Sequence, residues 1–473
     1  MRHMEATTMT KRACGSVLAM AVLVGCGGGD GVTIVPASKQ QQQNVMVVDE
    51  GIDLSVPELQ GKVAAAYTEV CADSGSAGGS LLPDGSPVDA GPKFDTLKQQ
   101  LIASFRETDD SCHLRSGISS KTDPMQKIAQ YKQRWNAMIR ANQKAGAAFS
   151  ATESAAILPV IENELGMFGY HGTATSTTVA YKNDTVRLVL VERQLMSEAQ
   201  VQAGFTCFDQ SEINEVTDLL SDAGVFAAAA AQPATLDADF AEATTKHNVG
   251  FVNESFGATA RIILEQMQQV QCPHPIDLSR YFAAISAIDA AHAAALTGPA
   301  VLTIKAAGND GVGINTGADA LDCNPGDPTT VQVGSYNASN GVQNTFSNFG
   351  ACVDLFAPGQ AIVTMYAGGW LLPADGTSFA APLTAWFGSR SAPTPFTVAT
   401  ARQSLLSNTD ATKELPASLF PAEFFYAPGQ VSTDAVVVQP ARPSRQAPRR
   451  GVAPSDLHRL LAPLLRFRSV RGA

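Results

Sequence analysis

Asn44-Val45-Met46-Val47-Val48-Asp49-Glu50-Gly51 is the stretch on which the fold turns. A short apolar run without polar alternation, closed by two acids and a glycine, is the pattern of a strand buried on both faces of a parallel sheet. Similar runs recur at Thr185–Val191, Val249–Val252, Val301–Ile304, Thr330–Val333 and Val353–Phe356. Helical segments lie between several of them. Strands of this kind alternating with helices predict an α/β fold: a doubly wound, mostly parallel sheet with helices on both faces. Open sheets of this class place their chemistry at the carboxyl ends of strands, which draws attention to Asp49.

Outward from that strand, Asp73 to Pro92 is rich in Gly, Ser and Pro and reads as loop. Asp123-Pro124 is an N-cap and first-turn pair. Ile128, Tyr131, Trp135 and Met138 follow at helical spacing, and Gly146 stops the helix. This amphipathic helix reads as a packing element. The whole chain has 473 residues and a formal net charge of −11, with only 16% charged residues. An acidic, charge-poor chain lacks the basic footprint of a nucleic-acid binder. No apolar run reaches the ~20 residues of a membrane span.

The N-terminus carries its own signal. Lys11 and Arg12 precede the apolar stretch Ser16 to Gly25, too short to span a bilayer and suited to a signal-peptide core. Met9-Thr10-Lys11-Arg12 is a more typical signal start than Met1. Leu23-Val24-Gly25-Cys26 resembles a bacterial lipobox, which implies lipidation of Cys26 and removal of residues 1–26. An ordinary secretory signal is the alternative, but its small-x-small site, Ala19-Met20-Ala21, falls inside the apolar core. Gly27 stands where an inner-membrane retention signal would place Asp. By analogy with Gram-negative lipoproteins, this implies an exported protein anchored in the outer membrane. Residues 27–43 are Gly- and Gln-rich and read as a flexible tether. At the other end, residues 440–473 hold eight arginines (442, 445, 449, 450, 459, 466, 468 and 471) and one acid, Asp456. They read as a basic, disordered tail. Contact of its Leu457–Phe467 stretch with anionic lipid is the alternative.

Of eight cysteines, removing Cys14 and lipidating Cys26 leaves Cys71, Cys112, Cys207, Cys272, Cys323 and Cys352. An even set in an exported chain points to disulfides. Sequence does not fix the connectivity, and pairing in sequential order is the hypothesis carried forward. With no C-x-x-C and no H-E-x-x-H, no metal site is assigned.

Three short motifs carry chemistry: Asp49-Glu50-Gly51-Ile52-Asp53, His171-Gly172-Thr173, and Gly376-Thr377-Ser378-Phe379-Ala380-Ala381-Pro382. Between the last two lie Val252-Asn253-Glu254-Ser255-Phe256-Gly257 and Ala306-Ala307-Gly308-Asn309-Asp310. Singly, each has a bland reading: a turn aspartate, a structural histidine, an N-cap serine, an asparagine in a Gly-Asn turn. Together, in the chain order Asp…His…Ser, they resemble the subtilisin-like serine proteases, or subtilases (peptidase family S8). α/β-Hydrolases run Ser…Asp…His, and no G-x-S-x-G elbow is present. The resemblance covers about Asn44 to Thr412, most of the chain.

The resemblance implies a subtilisin-like fold and a serine endopeptidase acting on polypeptides. Ser378 would be the nucleophile, at the positive end of a helix dipole. His171 would be the general base and Asp49 the carboxylate that orients it. Asn309 would donate to the oxyanion together with the Ser378 backbone N–H. Ser255, Phe256 and Gly257 match the strand that pairs with substrate backbone, and Ala306, Ala307 and Gly308 the wall of the pocket for the residue before the scissile bond. No cofactor is implied; structural calcium is common in relatives, but no D-x-D-x-D-G loop is present. A monomer is expected.

The chain departs from the family pattern in places. Glu50 replaces the usual Thr or Ser, and a second carboxylate beside the site would raise the His171 pKa. Ala174 and a Thr/Ser-rich run follow His171-Gly172-Thr173, which weakens the expected helix there. Asp49 and His171 stand 122 residues apart. Measured against the family spacing, that interval carries an insertion of roughly 70–90 residues. The expected domain runs over 44–439, with insertions at about 65–165 and about 197–246. Two other readings remain: a catalytically weak or inactive surface scaffold, and a peptide ligase using the same acyl-enzyme.

Overall fold

The computed structural model describes residues 44–71, 112–118, 171–193, 210–231, 235–256, 277–295, 301–320 and 323–425. In chain order the elements are β1 (Asn44–Asp49), β2 (Val63–Cys71), β3 (Cys112–Ser116), α1 (His171–Ala180) and β4 (Arg187–Glu192). Next come α2 (Gln210–Leu220), α3 (Ala223–Ala231), α4 (Thr235–Lys246), β5 (Val249–Glu254), α5 (Ser279–Ala295) and β6 (Leu302–Ala306). Then follow β7 (Thr330–Asn337), β8 (Val342–Gln343), β9 (Leu355–Pro358), β10 (Ile362–Tyr366) and β11 (Trp370–Ala374). The last two are α6 (Thr377–Ser391) and α7 (Val398–Ser407).

Strands β1 to β9 form one sheet in the order β3-β2-β4-β1-β5-β6-β7-β8, with β9 also paired to β7. Pairings from β2 through β7, and β7 with β9, are parallel; β3 and β8 pair antiparallel. Every apolar run singled out in the sequence overlaps a strand of this sheet. The chain crosses over β1 between β4 and β5, so the winding reverses there, the position at which such sheets open a crevice beyond their carboxyl ends.

Alternate residues of β1 serve two cores. Val45 and Val47 pack with Leu188, Leu190, Phe251 and Ile304 beneath Ala174 and Val179 of α1 and Ala380 and Leu383 of α6. Met46 and Val48 pack on the other face with Val189, Val252 and Phe240 and Ala243 of α4. Burial on both faces explains why β1 shows no polar alternation. β10 and β11 form a separate antiparallel pair against α1.

Within the span 65–165, most of β2 and all of β3 belong to the central sheet. Their antiparallel register sets Cys71 opposite Cys112. Cys323 and Cys352 are joined by a disulfide, matching that pair of the sequential hypothesis. Cys26, Cys207, Cys272, the helix expected over 123–146, the tether and the basic tail lie outside the described residues. Among the described residues no helix is long and apolar enough to cross a membrane.

Candidate active site

Asp49 is the last residue of β1 and is buried. His171 opens α1, which packs against the end of that strand. The approach is close because residue 172 is glycine. A Cβ there would stand 2.5 Å from the Glu50 carbonyl oxygen and 2.8 Å from Ile52 Cγ1. The Gly172 N–H donates to that same Glu50 carbonyl at 2.6 Å. Thr173 completes the join: its hydroxyl donates to the Gly51 carbonyl (2.8 Å) and accepts the Asp53 N–H (2.8 Å). The two motifs D-x-G-x-D and H-G-T are therefore halves of one backbone contact.

That contact brings His171 Nδ1 to 2.8 and 3.0 Å from the two Asp49 carboxylate oxygens. The Asp49 carboxylate also accepts the Glu50 N–H (2.8 Å) and the Thr175 hydroxyl (2.9 Å). An Nδ1–H held by Asp49 leaves Nε2 as the acceptor of the neutral ring. Burial works to lower the His171 pKa. The Asp49 charge, the hydrogen bond to it and the Glu50 charge oppose burial and together raise the pKa above the usual histidine value. Glu50 thus acts in the direction expected from the sequence. The helix that the Thr/Ser-rich run was expected to weaken forms over ten residues as α1. Residues 172–180 are all buried, and the threonine hydroxyls find fixed acceptors, Thr178 on the Ala174 carbonyl (2.9 Å) and Thr177 on that of Met365 (2.9 Å). Tertiary packing here outweighs intrinsic propensity.

Ser378 lies in the first turn of α6. The His171 ring sits beside the next residue, Phe379, with ring centroids 5.7 Å apart. The Ser378 hydroxyl donates to the Ser255 carbonyl at 3.0 Å, and no hydrogen bond joins it to His171 among the described residues. The Asp–His half of the expected relay is thus formed and the Ser–His half is open. Such contacts are often loose in unliganded enzymes and tighten around substrate.

Pro382, four residues after Ser378, lacks the N–H that would bond the Ser378 carbonyl inside the helix. The Ser255 hydroxyl donates to that carbonyl instead, at 2.9 Å, and accepts in turn from buried Asn253 Nδ2 at 3.0 Å. Residues 253–255 and 378 are cross-linked in both directions as a result. The Phe256 ring has two cations near it, the Arg193 guanidinium (5.1 Å from the ring centroid) and Lys305 Nζ (5.9 Å). These cations pair with Glu69 (2.9 Å) and Glu254 (3.4 Å) in a buried ionic layer at the ends of β2, β4, β5 and β6. Gly257 lies outside the described residues.

Ala306 ends β6; Ala307 and Gly308 lead from it to exposed Asn309. Thr377 orients the Asn309 side chain. Its N–H (2.8 Å) and its hydroxyl (2.9 Å) both donate to Asn309 Oδ1, while the hydroxyl accepts the Gly308 N–H (3.1 Å). A backbone N–H can only donate, so the oxygen of the amide must face Thr377 and the NH2 must face away. The Ser378 N–H, in the first turn of α6, has no intrahelical acceptor. Both donors flank one point: a Cβ on Gly376 would stand 3.4 Å from Asn309 Nδ2 and 3.6 Å from Ser378 N.

The structure therefore gathers the segments bearing Asp49, His171, Ser255, Ala306, Asn309 and Ser378 at one end of the sheet. Thr175, Asn253 and Thr377 hold three of them; Asn253 and Thr377 stood inside the quoted motifs without an assigned role, and Thr175 was not singled out in the sequence. Thr377 was legible as part of the G-T-S motif, and Thr175 as the residue one helical turn beyond His171.

The model of the Subtilase family (peptidase S8) matches residues 40–420. Alkaline serine protease ver112 of Corniculantispora psalliotae is 42% identical over 91 residues, which cover 19% of this chain and 22% of that one. Subtilisin-like protease 1 of Arthroderma otae is 40% identical over 84 residues, covering 18% and 16%. The matched stretches thus span under a quarter of these curated relatives. A cold-adapted subtilisin-like serine proteinase superposes over 80% of this chain and 91% of its own, with a TM-score of 0.35 and 16% identity. With the family match extending over most of its length, the chain belongs to the subtilase family.

Proposed function

We propose that this chain is an exported serine endopeptidase, held at a membrane by a lipid on Cys26, that cleaves polypeptides through an acyl-enzyme on Ser378. The observation that carries the reading is the Asp49–His171 pair beside the first turn of α6, where Asn309 Nδ2 and Ser378 N lie around one point. Substrate enters across Ser255 and Phe256 on one side and Ala306, Ala307 and Gly308 on the other. Ser378 Oγ leaves the Ser255 carbonyl, passes its proton to His171 Nε2 and attacks the scissile carbonyl carbon. The new oxyanion accepts from Asn309 Nδ2 and the Ser378 N–H. Asp49 stabilises the imidazolium, which returns the proton to the leaving amine. Water, deprotonated by the same imidazole, then releases the acid and regenerates Ser378. No cofactor takes part in this reading.

Casein digestion by the purified chain tests it, with products read by mass spectrometry. The reading requires cleaved fragments that carry one added water per cut and vanish in Ser378→Ala. Joined or cyclised products would assign the acyl-enzyme to ligation instead. A folded wild type that cleaves nothing would leave a binding scaffold. The anchor has a separate test: Cys26→Ser should move the protein from the membrane fraction to the soluble one.

A further inference from the structure

Asn348 is fully buried, belongs to none of the catalytic motifs and lies outside every helix and strand. Its side chain is nonetheless saturated with hydrogen bonds, all made to the segment that carries Asn309. Nδ2 donates to the Ala307 carbonyl (2.9 Å) and to Asp310 Oδ2 (3.2 Å). Oδ1 accepts the N–H groups of Asp310 and Val312, both at 3.1 Å. The Asn348 backbone N–H donates to the Gly308 carbonyl at 3.0 Å. One side chain thus grips residues on both sides of Asn309 through hydrogen bonds to Ala307, Asp310 and Val312.

The fit is reciprocal. Gly308 has φ +97°, a left-handed conformation that favours glycine, and a Cβ there would lie 2.5 Å from Asn348 Nδ2. The neighbouring backbones are also tied, Gly311 N–H to the Phe346 carbonyl (2.7 Å) and Phe349 N–H to the Val312 carbonyl (3.0 Å). Thr377 fixes the Asn309 amide at its oxygen, but this sets the donor's aim only if the Asn309 backbone is itself held. An oxyanion donor acts through preorganisation, so a backbone shift of a few tenths of an ångström at residue 309 reaches the rate.

We infer that Asn348 is a positioning residue for the oxyanion hole, acting through Asn309 by locking the backbone from Ala307 to Val312. The inference rests on the assignment of Asn309 as oxyanion donor made above. Substrate does not reach Asn348, so its effect falls on turnover rather than on binding.

A double-mutant cycle between Asn348→Ala and Asn309→Ala tests this, using a peptide p-nitroanilide selected from a substrate panel. Asn348→Ala should lower kcat about tenfold to a hundredfold while leaving KM within about twofold. In the Asn309→Ala background the same substitution should change kcat by less than about twofold, because the donor it positions is already gone. A purely structural role would give the same loss in both backgrounds. Asn348→Ser, which keeps a small donor and acceptor, should recover part of kcat and serves if the alanine variant does not fold. Equal losses in both backgrounds, or an unchanged kcat in folded Asn348→Ala or Asn348→Ser, would overturn the inference and leave the assignment of Asn309 standing. An unchanged kcat in Asn309→Ala alone would overturn both.

Discussion

His171 carries opposing demands. Burial works against its positive charge, whereas Asp49 and Glu50 favour it, and the carboxylates prevail. A raised pKa stabilises the folded state fully below the unfolded histidine value of about 6.5, and that contribution fades as pH rises through the folded value. Activity runs the other way, because the base must be neutral. The acid limb of kcat/KM should therefore lie above pH 6.5 or so, and Glu50→Gln should move it to lower pH. A limb that ignores Glu50→Gln would show that its charge does not reach the imidazole. As candidates, Ser378 and Asn309 were legible in the G-T-S-x-A-A-P and A-A-G-N motifs, whereas Asp49 and His171 sit in motifs that are weak alone and gained weight only from the chain order of the set. Thr175 and Asn348 were not legible, because a polar residue's role depends on which distant group it meets. Nothing local marks Asn348 as the partner of residues some forty positions earlier.

At the scale of elements, the strands were easier to read than the helices. Burial of β1, β4, β5, β6 and β7 on two faces writes a continuous apolar run into each. α1 shows the reverse: its Thr-rich sequence argues against a helix, and only the sheet and β10 beside it supply the burial and acceptors that stabilise one. The β10–β11 pair went unread although Gly368-Gly369 marks its turn. Most of β2 and all of β3 fall in a span that family spacing marks as insertion, yet both extend the sheet. The seam between β1 and α1 is the element-level weak point. Gly172→Ala should destabilise the fold by about 1–3 kcal/mol and cost more in activity than in stability, since any shift separates His171 from Asp49. Thermal melts and kcat on the same sample check this; a variant with native stability and rate would mean the seam is looser than its 2.5 Å approach implies.

At the scale of the whole molecule, the low charged fraction conceals a division. The described domain buries ion pairs, Arg193 with Glu69 and Lys305 with Glu254, near the carboxyl ends of the strands beside Phe256. The surplus arginines stand in the C-terminal tail. The Cys323–Cys352 bridge closes the region around Ala307, Ile314, Ala320 and Val353, next to the segment that carries Asn309. Its removal in Cys323→Ser/Cys352→Ser should cost about 2–4 kcal/mol and lower Tm accordingly. An unchanged Tm would show that packing alone holds that region. Above all these stands the claim that one serine becomes acylated. Labelling the purified chain with a fluorophosphonate, followed by peptide mapping, tests it most directly. The account predicts a single adduct on Ser378, absent in Ser378→Ala and strongly slowed in His171→Ala. Labelling at another residue, or none in folded protein, would contradict it.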